Sequence, residues 1–230
     1  MGRVRISGGL IGVVAASLLA APAPAQITID PAVVVFEPSE DSKSIIVTND
    51  GKELGLATAK PRVVTAPGAA DEKLRVEPNP ADLHLLVTPL RLALDPGERR
   101  AVTLMTLDKP GAADRVWRVQ IAPAVGKLKP NQSGVSFIVG YDALVIQRAA
   151  NPKPAVSGTR DGTKLILLNG GNSFAFVQSV EQCGAAADCA TLPGKRLYAG
   201  QFAAFELPRT GGTVTVSIEG VGRRVDKLKF

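Results

Sequence analysis

The sequence predicts an all-β fold of two antiparallel sandwiches joined end to end. Apolar and polar residues alternate over short runs, cleanly so in Arg-Val-Trp-Arg-Val-Gln-Ile-Ala at 115–122. Turn-forming Gly, Pro, Asn and Asp interrupt these runs at intervals of about 8–12 residues, the spacing of sandwich strands. Helical periodicity is nowhere sustained over a window long enough to define an amphipathic helix. The 230 residues are 45% hydrophobic and 21% charged, which is enough to build a core, but only 4% are aromatic, so that core must be aliphatic.

The first 25 residues read as a leader. Arg3 and Arg5 precede an apolar run from Gly9 to Ala20, and Ala-Pro-Ala-Pro-Ala ends at Ala25. A basic start, a short apolar core and a small-residue exit describe a cleaved secretory signal peptide. The run is too short to span a bilayer. Cleavage after Ala25 removes two arginines and no acid, so the formal charge of +6 falls by two to +4.

The first sandwich is expected over 26–148. Gln26 to Phe36 opens it, with a break at Asp30-Pro31, because proline belongs at strand edges. Ser44–Thr48 follows, then the Asn49-Asp50-Gly51 turn. Leu54 to Val64 is a third strand and Lys73 to Glu77 a short one. Leu83 to Thr88 and Leu90 to Leu94 are strands on either side of Pro89, and Asp95-Pro-Gly-Glu98 turns the chain into Arg100–Thr106. After 115–122 comes a loop rich in Gly, Pro, Lys and Asn. The long stretch Val135 to Arg148 then puts Val135, Phe137, Val139, Tyr141, Ala143 and Val145 on one face. Its second half is apolar on both faces, as in a central strand. Its first half follows a polar loop, and as an edge it would expose alternating apolar side chains, the pattern by which a strand is added to an incomplete partner sheet.

Residues 149–154 (Ala-Ala-Asn-Pro-Lys-Pro) form a stiff linker, and 155–230 form a smaller second sandwich. Its strands are expected at Lys164–Asn169, Ser173–Gln178, Lys195–Tyr198, Ala203–Leu207, Thr213–Ile218 and Arg223–Phe230. The only two cysteines, Cys183 and Cys189, lie in this part. In an oxidising compartment a short loop between them favours a structural disulfide.

Catalytic chemistry has little to work with. There is one histidine, His84, inside a strand pattern, and both thiols are committed to each other, so neither a Ser-His-Asp nor a Cys-His site can be assembled. A metal centre lacks ligands and no cofactor motif is present. The basic residues are scattered rather than blocked, which argues against a nucleic-acid surface. No enzyme is expected.

With these residues in place the chain resembles the periplasmic pilus-assembly chaperones, the PapD-like family. The resemblance rests on Ala32-Val-Val-Val-Phe36, Val47-Thr-Asn-Asp50, Val87-Thr-Pro89 with Leu94-Asp-Pro-Gly97, and Asp114-Arg-Val-Trp117 leading to Ile121-Ala-Pro123. The long alternating strand, Leu168-Asn-Gly-Gly-Asn172, Leu197-Tyr-Ala-Gly200 and 218–225 complete it. It implies two immunoglobulin-like domains in an L or boomerang arrangement. It also implies a periplasmic, non-catalytic chaperone that folds and caps pilin-like subunits by donor-strand complementation, with an outer-membrane usher as the next partner and a self-capping dimer as a resting form. On this alignment the donor residues are Val135, Phe137 and Val139. Pro89 stands where the family has a cis proline, and Arg148 matches a basic cleft or interdomain residue with Asp114 and Glu219 as its partners. The family's two basic anchors for the subunit's C-terminal carboxylate fall on Val33 and Leu144, both apolar. The alternative is a secreted two-domain structural or adhesive sandwich, in which Val135 to Val139 would be paired and buried on both faces.

Overall fold

The computed structural model describes residues 27–124, 139–184 and 188–230. The expected leader, 1–25, therefore lies outside the described residues. In chain order the strands of the first sandwich are β1 (Ile27–Asp30), β2 (Val33–Phe36), β3 (Ser42–Asn49), β4 (Gly55–Thr65) and β5 (Lys73–Arg75). After the single helical turn α1 (Pro80–Leu83) come β6 (Leu85–Thr88), β7 (Arg91–Leu94), β8 (Arg99–Thr106), β9 (Arg115–Pro123) and β10 (Tyr141–Gln147). One sheet has the order β1-β3-β8-β6; the other has β2-β10-β9-β4-β5, with β7 also on β4.

The chain passes repeatedly from one sheet to the other, and two of these passages, from β1 to β2 and from β6 to β7, contain a proline after a cis peptide, Asp30-Pro31 and Thr88-Pro89. Proline cannot donate to a ladder, so the hydrogen-bonded edge ends where the sheet must be left. The expected strand from Leu83 begins at Leu85 instead. Asn79 caps α1 by accepting from the Ala81 N–H, Pro80 occupies the first helical position, and His84 ends the turn in the left-handed region at φ 59°. His84 is thus a helix cap rather than a strand residue, with Nδ1 2.6 Å from Asp108.

The second sandwich contains β11 (Val156–Asp161), β12 (Lys164–Asn169), β13 (Ala175–Cys183), β14 (Cys189–Leu197), β15 (Phe202–Glu206), β16 (Thr213–Glu219) and β17 (Val225–Lys229). Its sheets are β11-β12-β15 and β14-β13-β16-β17. Sequence reading missed β11 and placed the start of β14 six residues late, at Lys195 rather than Cys189. Cys183 and Cys189 face each other across β13 and β14 and are disulfide-bonded.

Each sandwich has its own aliphatic core. The first is built on Phe36, Ile45, Leu94, Leu104, Val119 and Ile121 around Trp117, and the second on Leu165, Leu167, Val177, Val214 and Val216. A buried asparagine stitches each one. Asn49 Nδ2 donates to the Glu53 and Leu94 carbonyls, and Asn169 Nδ2 donates to those of Ser173 and Leu197. Each amide ties the carbonyl at the end of a strand, Leu94 or Leu197, to one in a loop, Glu53 or Ser173, and leaving those carbonyls unpaired would cost about 1–3 kcal/mol each.

A third, smaller core lies where the sandwiches meet. Val64, Val116, Leu144 and Ile146 from the first pack with Phe174 from the second, and Val35 and Tyr198 close its rim. A loop of the first sandwich approaches here so closely that a Cβ on Gly68, which has φ +78°, would come within 2.7 Å of the Tyr198 ring.

Candidate functional site: the end of β10 and the interdomain cleft

The strand nearest the expected site is β10, paired in parallel to β2 and antiparallel to β9. Ala143 and Val145 point into the first core, while Leu144 and Ile146 point into the junction core, and all four are buried. This half is a central strand, apolar on both faces because each face meets a different hydrophobic cluster. The described strand starts at Tyr141, not at Val135. Val135 and Phe137 lie outside the described residues. Val139 lies just before the strand and is 48% exposed. Pleat alternation puts Val139 on the side of Ala143 and Val145 in any extended continuation of β10.

The linker side of β10 is a clasp. Arg148 is 4% exposed and every arm of its guanidinium is engaged. Nε donates to Glu37 at 3.2 Å, one terminal nitrogen to the Ser173 hydroxyl at 2.7 Å and the Phe174 carbonyl at 3.2 Å, and the other to the Gly220 carbonyl at 3.4 Å. The group also stacks on the Phe174 ring, 4.0 Å from its centre. A rigid planar fork suits such a site because its donors are already arranged.

The acid paired with Arg148 is Glu37, not Asp114 or Glu219. Asp114 crosses the junction by accepting from the Phe174 N–H at 2.7 Å, the Ser173 hydroxyl and the Ala149 N–H. The Glu219 carboxylate accepts from Gln178 within the second sandwich. Sequence reading could not find Glu37, because it lies 111 residues from Arg148, at the end of β2 where a turn begins, and belongs to no motif.

Beside this clasp runs a cleft of about 860 Å³ between the sandwiches. Val33, Val35, Phe174, Phe176 and Arg196 line its walls, with the Gly220–Arg223 turn at one end. Val33 and Leu144 are direct neighbours in the β2–β10 ladder, so the two apolar residues at the family's basic positions stand side by side. Val33 is exposed at 42%, whereas Leu144 is covered by the junction core. Lys43, also on the cleft, pairs with Glu40, whose carboxyl is held below its usual range chiefly by the Lys43 hydrogen bond and next by the Glu37 N–H. Burial pushes the Tyr198 phenol up, against the opposing charges of Arg196 and Arg118. Among the described residues, Glu181 with the two bridged cysteines is the one cluster with metal-ligand geometry, and a disulfide supplies no thiolate.

No family model matches this sequence, and no curated protein matches it either. Solved structures do match. The class 5 fimbriae chaperone CfaA aligns over 89% of this chain and 97% of its own, at 21% identity and TM-score 0.64. The SafB chaperone with the SafA pilin of Salmonella enterica covers 91% and 98%, at 13% identity and TM-score 0.62. The chaperone–tip subunit complex CsuC–CsuE, from archaic chaperone-usher pili of Acinetobacter baumannii, covers 89% and 98%, at 14% identity and TM-score 0.60. Since these alignments span both sandwiches and nearly the whole of each matched chain, the chain has the two-domain fold of the fimbrial chaperones.

Proposed function

We propose that this protein is a periplasmic chaperone that folds and caps pilin-like subunits by lending them a strand. The carrying observation is the abrupt change along β10. The face buried completely at Ala143 and Val145 reaches Val139 half exposed, at the end of the sandwich and outside any strand pairing. Val135 and Phe137 share that alternation in the sequence. A strand that carries the pattern of a core beyond the core it belongs to can complete another sheet. Its backbone would supply the ladder, and each large side chain fully buried in the subunit would contribute about 1.5–3 kcal/mol. The exposure of Val139 disfavours the structural alternative, which needs this segment paired and buried.

The chaperones of the same fold that are solved with a pilin or a tip subunit support the same reading. An exported location follows from the basic-apolar-small leader, and handover at an outer-membrane usher would be the next step. The test is co-expression of the exported protein with pilin-like subunits, followed by isolation of complexes. A soluble one-to-one complex with the wild type, lost with Phe137→Asp while the chaperone's melting temperature is unchanged, is the expected result. Equal capture by Phe137→Asp would refute the donor assignment.

A further inference from the structure

The β13–β14 hairpin carries three donor atoms on one face. Glu181 and Cys183 are two residues apart on β13, so both point away from the second core, while Val180 and Gln182 on the other face are buried. Cys189 is the ladder partner of Cys183 and shares its face. A Glu181 carboxylate oxygen and the two sulfurs lie within 4.8 Å of one another. Glu181 and Cys189 are exposed and Cys183 is half-buried, so the group opens to solvent. The Glu181 carboxylate makes no ion pair or hydrogen bond among the described residues.

The frame around these atoms does not depend on the bridge. The β13–β14 ladder runs from the Ala175–Leu197 pair to the Cys183–Cys189 pair over the fully buried Val177 and Val180. At the tip the Gly184 N–H donates to the Asp188 carbonyl at 3.0 Å. Arg209 donates to the same carbonyl at 2.8 Å and to the Asp188 carboxylate. The buried Gln182 amide donates to the Arg209 and Gly211 carbonyls at 2.7 and 2.6 Å and accepts from the Arg209 N–H. Arg160 holds the same loop through the Thr210, Gly211 and Gly212 carbonyls. A bridge across so short a loop adds little to this frame, and the hairpin keeps its shape with two thiols.

Every chain carries these cysteines first as thiols, because the bridge forms only when an oxidant removes two electrons and two protons. In that interval the tip offers two sulfurs and a carboxylate. Such a set suits a borderline-soft ion of the zinc kind, not Ca²⁺ or Mg²⁺, which take six or more oxygens. Tetrahedral bonds of about 2.3 Å to sulfur and about 2.0–2.2 Å to oxygen hold the donors about 3.6–3.8 Å apart, a span that rotation of the three side chains reaches. We propose that the thiol form of the hairpin binds one zinc-like divalent ion through Cys183, Cys189 and Glu181, with water in the fourth position, and that formation of the bridge expels it. Binding releases the two thiol protons. Oxidation by the disulfide of a thiol oxidoreductase then moves two electrons from the bound thiolates to that disulfide. Its sulfurs leave as two thiols with protons taken from water, and the ion departs. The site involves neither the cleft nor β10 and stands apart from the chaperone reading.

Cobalt(II) is the probe, because tetrahedral thiolate ligation gives it a near-ultraviolet charge-transfer band and strong visible ligand-field bands. The exported protein is reduced with a phosphine, freed of it without air, and titrated with Co²⁺. The expected result is saturation at one equivalent with both kinds of band, loss of both when Zn²⁺ is added, and no band in the bridged protein. Glu181→Gln should weaken binding at least about tenfold, since even partners outside the ligand shell cost that much. The double variant Cys183→Ser/Cys189→Ser should show no charge-transfer band. Adding a small-molecule disulfide to the Zn²⁺-loaded protein should release one ion per bridge formed, read with a zinc indicator. No cobalt band, or an unchanged affinity in Glu181→Gln, overturns the site, and an ion retained after the bridge has formed overturns the expulsion. Circular dichroism of the reduced protein establishes that it folds. If the thiol form unfolds, Zn²⁺ should restore the folded signal in the wild type and not in Glu181→Gln, and failure to restore it overturns the site.

Discussion

Removing Arg148 should uncouple the two sandwiches. In the variant Arg148→Ala the Phe174 and Gly220 carbonyls and the Ser173 hydroxyl lose their donor, Glu37 loses its cation, and the Phe174 ring loses the guanidinium stacked on it. Breaking a fully buried ion pair by deleting one partner costs about 3–5 kcal/mol. The Glu37 side chain is 37% exposed, so solvent screens part of that pair, and the greater share comes from the buried carbonyls instead. Hydrogen bonds from a charged donor contribute about 1.5–3 kcal/mol each and are not additive within one group, so about 4 kcal/mol is the expected loss. For a chain of this size about 2–4 °C accompanies each kcal/mol, which predicts a fall of about 8–16 °C in the apparent midpoint. Trp117 fluorescence, which reports the first sandwich, and far-ultraviolet circular dichroism, which reports both, should melt together in the wild type and apart in the variant. Arg148→Lys keeps the charge but not the fork, and should recover less than half of the loss. A fall below about 2 °C for Arg148→Ala, or a Lys variant as stable as the wild type, would refute the clasp.

Two further predictions concern the second sandwich and its rim. Cysteines six residues apart close a short loop, so replacing both by alanine should lower stability by about 2 kcal/mol in the chain-entropy description; denaturant unfolding measures it, and a loss above about 4 kcal/mol would show that the bridge does more than restrict the unfolded chain. Tyr198 is one of two tyrosines, so in a Tyr141→Phe background the phenolate absorbance reports it alone. Because burial raises its folded value above the usual 10.0, the neutral ring contributes stability that is complete below pH 10 and is lost as pH rises through the higher folded value. The titration should have its midpoint above 10, and Arg196→Gln should move it further up, since the Arg196 charge opposes the shift; a midpoint at or below 10 would place Tyr198 in solvent.

How much of this was legible in the sequence depended on how far each residue acts along the chain. Alternation at 115–122 gave β9 with its boundaries nearly right, because a strand with two chemically distinct faces writes its own period. The same rule failed at β11, Val-Ser-Gly-Thr-Arg-Asp, where Gly158 interrupts any apolar row. That glycine is required by packing rather than by a turn: a Cβ there would strike the Leu167 side chain and the Phe230 ring. Leu83 and His84 read as strand because the short apolar run continues into Leu85, while the start of α1 at Asn79-Pro80 is marked in the sequence only by a capping signal. Arg148 was visible as a basic residue between domains, but its acid was not, since the partner of a long-range clasp is fixed by how two sandwiches sit and not by spacing.

The cleft shows the same limit from the other side. Aligned one by one against the pattern of the family the chain resembles, Val33 and Leu144 read as two unrelated apolar positions. In three dimensions they are one apolar pair, because they are partners in one ladder. An apolar pair at adjacent ladder positions lets Leu144 join the junction core with Ile146 and Phe174, and a buried lysine in its place would need a counter-charge that this core does not offer. Burying that position therefore favours a tight junction at the expense of a cation there, and any cation serving the cleft must stand further along the row or on the opposite wall. Arg118 stands next along the row, between Leu144 and Arg62, and Arg196 lines the opposite wall against the Phe174 and Phe176 rings. A sheet thus conserves geometry across strands that a linear alignment treats as unrelated, and the row, rather than the residue number, is the unit in which this site can be compared with others of its fold.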